Sequence, residues 1–254
     1  MNYNTALALV TLCSWASSVA ASSSCRCAPP AFLSIPRVNL SMPEGMRPCA
    51  PYKLLDARGT AEPQGVSLMF QLVIEKILAN NTGAMSQSVV YPAGLDQNVT
   101  SGVQDLTNTI NIGLEDCPKQ KYFLFGYSQG ATVVLNALER LDESSLAAVA
   151  AVVLIGNPFR TPGRLSNVNR TGQHDHRVAF GRFATQARQS NESIPLYSES
   201  LDQTGRIKDI CLDNDIICAV NPECSCPIEA DHLSYGMVQD IQDLIFEHVI
   251  THMF

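Results

Sequence analysis

The run Tyr122-Phe123-Leu124-Phe125-Gly126-Tyr127-Ser128-Gln129-Gly130 changes character in its middle. Tyr122 to Phe125 is apolar and rich in aromatics, the pattern of a buried strand, and Ser128 to Leu141 has the spacing of a helix. Between them Gly126-x-Ser128-x-Gly130 fits the nucleophile elbow, a sharp strand-to-helix turn that presents a serine Oγ at its tip. Both glycines serve close packing, because a Cβ at either would strike the neighbouring strand and helix. Ser128 is therefore the candidate nucleophile.

On either side of this run, strand and helix patterns alternate. Residues 22–51 read as loop. Tyr52 to Ala57 reads as a strand ending in the turn Arg58-Gly59-Thr60, and Val66, Met69, Phe70, Val73, Ile74, Ile77 and Leu78 share one helical face. Ser88 to Tyr91 reads as a short strand closed by Pro92. Val103, Leu106, Ile110 and Leu114 mark a second amphipathic helix, stopped by Pro118. Ala147 to Ile155 is continuously apolar, as expected of a strand covered on both faces. A last helix carries Leu233, Met237, Ile241, Leu244, Ile245 and Val249. This alternation predicts one α/β domain, a parallel sheet with helices on both faces. Residues 157–207 are polar and fit the alternation poorly. They read as an excursion or insertion, with a helix near Val178 to Gln189.

Composition sets the compartment and excludes some functions. The 254 residues are 46% apolar and 16% charged, too hydrophobic for a disordered chain. A net charge of −7 with 17 Lys and Arg gives no footprint for nucleic acid. Ala6 to Ala16 is a short apolar run followed by small residues, which predicts a signal peptide over 1–20, with cleavage after Ala20 or Ala21, and a mature domain over 21–254. No later stretch is long and apolar enough for a membrane anchor. Five Asn-x-Ser/Thr sequons, at Asn39, Asn80, Asn98, Asn169 and Asn191, agree with a secreted glycoprotein. Of the nine cysteines, cleavage removes Cys13 and leaves an even set: Cys25, Cys27, Cys49, Cys117, Cys211, Cys218, Cys224 and Cys226. That pattern suits a disulfide framework better than a zinc site, since no Cys-x-x-Cys pair faces another.

A serine hydroxyl needs a base, and in this fold class the order along the chain is serine, acid, histidine. All five histidines follow Ser128. His248 and His252 lie on the last helix, and His174 and His176 in the polar excursion with little acidic sequence before them. His232 opens the final helix, at the sheet end where catalytic groups gather, and is the favoured base. Asp209, Asp213 and Asp215 all precede it suitably. Cys211 and Cys218 bracket Asp215, so a bridge between them would stiffen an acid loop, yet position alone does not separate Asp213 from Asp215.

Four motifs together resemble the cutinase family of secreted fungal esterases: Asp56-Ala57-Arg58-Gly59-Thr60-Ala61-Glu62, Gly126-Tyr127-Ser128-Gln129-Gly130-Ala131, Cys211-x-x-x-Asp215-x-x-Cys218 and His232-Leu233-Ser234-Tyr235-Gly236. The resemblance runs from about Cys49 to the C-terminus. It implies a three-layer α/β-hydrolase fold with a mostly parallel sheet, and Ser128 as nucleophile, Asp215 as acid and His232 as base. It also implies pairing of Cys49 with Cys117 and of Cys211 with Cys218. The N–H groups of Thr60 and Gln129 would form the oxyanion hole, with Thr60 standing where the family often has serine. No cofactor or metal is implied. The expected partner is an ester, polymeric cutin or an acetylated polysaccharide included, acted on by a monomer. The longer stretch between Ser128 and Asp215, and the extra Cys25-x-Cys27 and Cys224-x-Cys226 elements, are departures. They leave two other readings: an acetylxylan-type carbohydrate esterase, and a secreted binding or elicitor protein that keeps the fold without the chemistry.

Overall fold

The computed structural model describes residues 49–224 and 230–254. Strands β1 (Tyr52–Ala57), β2 (Ala84–Ser88), β3 (Lys121–Tyr127), β4 (Val149–Ile155), β5 (Asn167–Val168) and β6 (Ile207–Ile210) form one sheet in the order β2-β1-β3-β4-β6-β5. Every pairing in it is parallel, so the sheet goes beyond the mostly parallel one expected. Parallel strands need crossovers, supplied by α1 (Gln71–Asn80), α2 (Thr100–Asp116), α3 (Gln129–Arg140), α4 (Glu143–Ala148), α5 (Arg182–Ser190) and α6 (Glu199–Asp202). Helix α7 (Gln239–Thr251) closes the chain.

Alternation along the central strands divides the core in two. Leu54, Phe123, Phe125, Val153 and Ile155 pack under α1 and α7, against Phe70, Ile74, Ile77, Ile241 and Ile245. Their neighbours Leu55, Ala57, Leu124, Val152 and Leu154 face the other way, onto Val103, Leu106, Ile110, Val133 and Leu138 of α2 and α3. The three layers are therefore helix, sheet, helix.

Four of the expected elements are shifted or divided, each for a local reason. The strand expected at 88–91 lies at 84–88, because past Asp56 the chain turns away: Val89 N–H still donates to Asp56 O at 2.8 Å, but Val90 N–H donates to the Asp105 carboxylate at 2.8 Å. The first helix begins at Gln71, since Val66 to Phe70 form turns that bury the same apolar face. Ala147 and Ala148 end α4, whose start is capped by the Asp142 side chain accepting from Ser145 N–H at 2.7 Å. Leu233 and Met237 belong to two 3₁₀ turns, 231–233 and 235–237, that precede α7.

Residues 157–207 contribute edge strand β5 as well as α5 and α6. Their anchor is electrostatic. Arg160 is fully buried, with its guanidinium 2.7 Å from Asp175 and 3.6 Å from Asp209, and Asn157 Nδ2 donates to Asp209 at 2.7 Å. Arg177 clamps Asp175 from the other side at 2.6 Å. The excursion is thus fastened to β6 by buried charge.

Disulfide Cys49–Cys117 ties the start of β1 to the end of α2, and Cys211–Cys218 closes the loop after β6. Cys224 is also disulfide-bonded, while Cys25, Cys27 and Cys226 lie outside the described residues. So do the segment read as a signal peptide and the sequon at Asn39. Among the described residues no helix is long and apolar enough to cross a membrane.

Candidate active site

The sheet order reverses between β1 and β3, the strands on either side of the switch point where open α/β sheets form a crevice at their C-terminal edge. The chain leaves β1 into Arg58–Glu62 and β3 into Ser128, so both segments face this crevice. Ser128 adopts φ 52° and ψ −115°, a sparsely populated backbone conformation for a residue with a Cβ. The elbow is held by Ser128 N–H donating to Ile155 O at 3.0 Å and by Ala131 N–H donating to Ser128 O at 2.9 Å. Its glycines fit the packing argument. A Cβ on Gly130 would collide with the Ala57 carbonyl, and one on Gly126 would lie 2.7 Å from Ala131 Cα.

His232, on the 3₁₀ turn 231–233, reaches the elbow from the far side of the crevice. Its Nε2 is 3.0 Å from Ser128 Oγ and its Nδ1 is 2.8 Å from Asp215 Oδ2. Asp215 is 1% exposed. Burial pushes its carboxyl up, but the His232 ring, the Tyr235 hydroxyl and Ile217 N–H outweigh that and hold it below the usual carboxylate range. Asp215 is therefore an ionised acceptor. That fixes the tautomer: Nδ1–H donates to Asp215, and Nε2 is left to accept from the Ser128 hydroxyl. The arrangement is the geometry of a base poised on a nucleophile and oriented by an acid.

The alternatives left by position fall elsewhere. Asp213 is exposed, and Asp209 is committed to Asn157 and Arg160. His174 and His176 pack ring to ring, and His248 hydrogen-bonds Arg206 O at 3.1 Å. Of the histidines and acids weighed, the structure brings together His232 and Asp215 at Ser128.

Three supporting groups were hidden in the sequence. Tyr235 is fully buried, and burial raises its hydroxyl well above its ordinary range, so it stays protonated and donates to Asp215 Oδ2 at 2.7 Å. The Tyr235 hydroxyl oxygen in turn accepts from Leu212 N–H at 3.1 Å. Tyr127 donates from its hydroxyl to His232 O at 2.9 Å, with its ring centroid 5.2 Å from the imidazole. Gly156, at φ +58°, lies directly behind the imidazole, where a side chain would meet it. Tyr235 stood in the quoted His232 motif and Tyr127 in the elbow, but their hydroxyl partners are set by tertiary packing.

The turn 58–62 is braced from several directions. Glu62 accepts from Gly59 N–H at 2.6 Å and Leu68 N–H at 2.8 Å, Arg58 Nε donates to Glu62 O at 2.7 Å, and Ala61 N–H donates to Ala93 O at 2.8 Å. Gln97 Nε2 donates to Thr60 Oγ1 at 3.0 Å, and Gln129 Nε2 to Gly94 O at 3.1 Å. Among the described residues the backbone N–H groups of Thr60 and Gln129 have no acceptor. Around Ser128 and His232 lies a cleft of about 330 Å³, walled by Thr60, Leu95, Phe183, Ile217 and Leu233. Leu95 is 83% exposed at its rim. Among the described residues no group of three or more His, Cys, Asp or Glu side chains is placed to hold a metal ion.

The family model described as Cutinase matches residues 48–251. A cutinase of Trichoderma harzianum is 37% identical over 118 residues, 44% of this chain and 47% of that protein. A cutinase of Hypocrea jecorina is 35% identical over 119 residues, 44% of this chain and 48% of that protein. The matched stretch therefore spans about half the length of these curated relatives. A solved cutinase-like protein from Cryptococcus sp. is similar over 81% of this chain and 96% of its own, with 32% identity and a TM-score of 0.70. The family match takes in both disulfide-bonded loops, the elbow and the turn bearing His232, and the chain belongs to the cutinase family.

Proposed function

We propose that the chain is a secreted carboxylic ester hydrolase working through a Ser-His-Asp acyl-enzyme mechanism. One observation carries the reading: an unbroken hydrogen-bonded line from Ser128 Oγ through His232 to a buried, ionised Asp215, at 3.0 and 2.8 Å. His232 Nε2 takes the Ser128 proton as Oγ attacks the ester carbonyl. The carbonyl oxygen becomes an oxyanion received by the N–H groups of Thr60 and Gln129, the latter at the N-terminal end of α3, where the helix dipole favours negative charge. The protonated imidazole, stabilised by Asp215, then gives its proton to the leaving alcohol. Water repeats the sequence on the acyl-Ser128 ester and frees the acid.

Family membership and the apolar rim at Leu95 favour cutin-type polyesters or related short- and medium-chain esters over other substrates. Secretion rests on the apolar N-terminal run and the paired cysteines. The test is hydrolysis of p-nitrophenyl acetate, butyrate and longer acyl esters, then of cutin and acetylated xylan, by the oxidised protein and by Ser128→Ala. Turnover of the esters by the parent alone is expected. Hydrolysis confined to acetylated xylan would move the reading to a carbohydrate esterase, and no turnover by folded protein would overturn it.

A further inference from the structure

One wall of the ester cleft is the loop from Ala93 to Val99, whose Leu95 and Gln97 line it together with Thr60 and Ser128. The loop is fixed to the turns that carry the chemistry. Ala93 O accepts from Ala61 N–H at 2.8 Å, Gly94 O accepts from Gln129 Nε2 at 3.1 Å, and Gln97 Nε2 donates to Thr60 Oγ1 at 3.0 Å. Ala93 and Gln97 stand at φ 51° and 58°, the left-handed region that residues with a side chain seldom occupy. A group attached to this loop is therefore held at the mouth of the cleft.

The residue after Gln97 opens the sequon Asn98-Val99-Thr100. Asn98 is exposed, and its Oδ1 accepts from Thr100 N–H at 3.0 Å. Its Nδ2, the atom that a glycan takes, has no partner among the described residues. Three residues of chain, about 11 Å at full extension, separate Asn98 from Leu95, which stands 83% exposed at the rim. The other described sequons lie elsewhere. Asn80 ends α1 and leads into β2, at the opposite edge of the sheet, and neither Asn169 nor Asn191 lines the cleft.

We propose that Asn98 carries an N-linked glycan that screens the ester cleft, holding a solid polymer off the rim while soluble esters still enter. The proposal rests on the reading of a secreted esterase. The glycosyl donor is a lipid-linked oligosaccharide pyrophosphate of the secretory route. Asn98 Nδ2 bonds to the anomeric carbon as the C–O bond to the pyrophosphate breaks, and the proton that Nδ2 loses leaves with the pyrophosphate. To work on a solid polyester the cleft must bring Leu95 flush against it. A glycan is bulky and hydrated, and one rooted this close to Leu95 cannot be pressed onto an apolar surface without losing water from its hydroxyls.

The test produces the full chain in a eukaryotic secretory host and reads occupancy of Asn98 by peptide mass spectrometry. Thr100→Ala and Asn98→Gln each abolish the acceptor, endoglycosidase trimming of the folded parent changes no residue, and Asn80→Gln is the control at the far edge. The readout is the ratio of the initial rate on a polyester film to kcat/KM on p-nitrophenyl butyrate. Asn98 is expected to be occupied. The ratio should rise about tenfold in both variants and in the trimmed parent, through adsorption to the film, the size expected from burying one exposed leucine side chain. The soluble kcat/KM, and the ratio in Asn80→Gln, should stay at the parent level. Secreted protein bare at Asn98, a ratio that both variants leave unchanged, or an equal rise in Asn80→Gln overturns the screen alone. A parent that is not secreted, or that leaves p-nitrophenyl butyrate intact, overturns the reading beneath it.

Discussion

Gly156→Ala puts one carbon where the account requires none. The new Cβ would lie 2.7 Å from His232 Cε1, 2.9 Å from its Nδ1 and 3.2 Å from Asp215 Oδ2. Carbon atoms rest at about 3.5–4.0 Å, so the imidazole or the backbone behind it must yield by roughly 1 Å. His232 has few ways to move, with Asp215 on one nitrogen and the Tyr127 ring against its face. The displacement falls on the 3.0 Å contact between Nε2 and Ser128 Oγ. A misplacement of about 1 Å between catalytic groups can cost on the order of 10²-fold in rate. The φ of +58° at position 156 adds about 1–2 kcal/mol of backbone strain for alanine. The expected result is a roughly hundredfold lower kcat/KM on p-nitrophenyl butyrate, a matching fall in the rate of fluorophosphonate labelling, and a fold retained by circular dichroism with a modestly lower Tm. Parent-level activity with a parent-level Tm would refute the reasoning, because the imidazole could not then be working from its observed place.

Tyr235→Phe removes the donor to Asp215 and the acceptor of Leu212 N–H while keeping the ring. The Asp215 carboxyl should rise toward its ordinary range, with a stability loss of about 1.5–3 kcal/mol in chemical denaturation at neutral pH. Replacing Cys49 and Cys117 by alanine opens a link of 68 residues, worth about 4 kcal/mol in the chain-entropy model, so Tm should drop sharply while the folded fraction keeps its activity. Loss of activity without loss of stability would contradict that assignment. Burial raises Asp209 from 3.8 to about 6, against the pull of Arg160 and Asn157, so between those values the native state binds more protons than the unfolded one. Unfolding free energy should therefore carry a contribution from Asp209 that is present at acid pH and lost by about 2–3 kcal/mol as pH rises from 4 to 6. Denaturation curves of Asp209→Asn should lack that slope.

The elements legible in the sequence were those whose burial is two-sided or strongly periodic. Tyr122 to Phe125 and Val149 to Ile155 are apolar on both faces because helices cover both, and α2 and α3 show one apolar stripe each. Strand β2 was misplaced because Ala84-Met85-Ser86-Gln87-Ser88 is mostly small and polar, while the β-branched Val89-Val90 just beyond it belongs to the turn. Strand β6 was missed because Lys208 and Asp209 interrupt it, and only the tertiary fold supplies Arg160 and Asn157 to accommodate a buried carboxylate there. At the site, the elbow announced itself through two glycines whose need is local. The choice of Asp215 over Asp213 was not local, since it depends on which carboxylate the loop after β6 turns inward. Tyr235 and Gly156 depend likewise on contacts across the crevice, 20 and 59 residues from Asp215 along the chain, which no spacing encodes.

The central claim is that Ser128 is an activated nucleophile. It is tested most directly by treating the oxidised protein with a fluorophosphonate and mapping the adduct by peptide mass spectrometry, alongside Ser128→Ala and His232→Ala. The expected result is one adduct, on Ser128, absent from Ser128→Ala and formed far more slowly in His232→Ala. A folded protein that takes no label, or takes it on another serine, would contradict it.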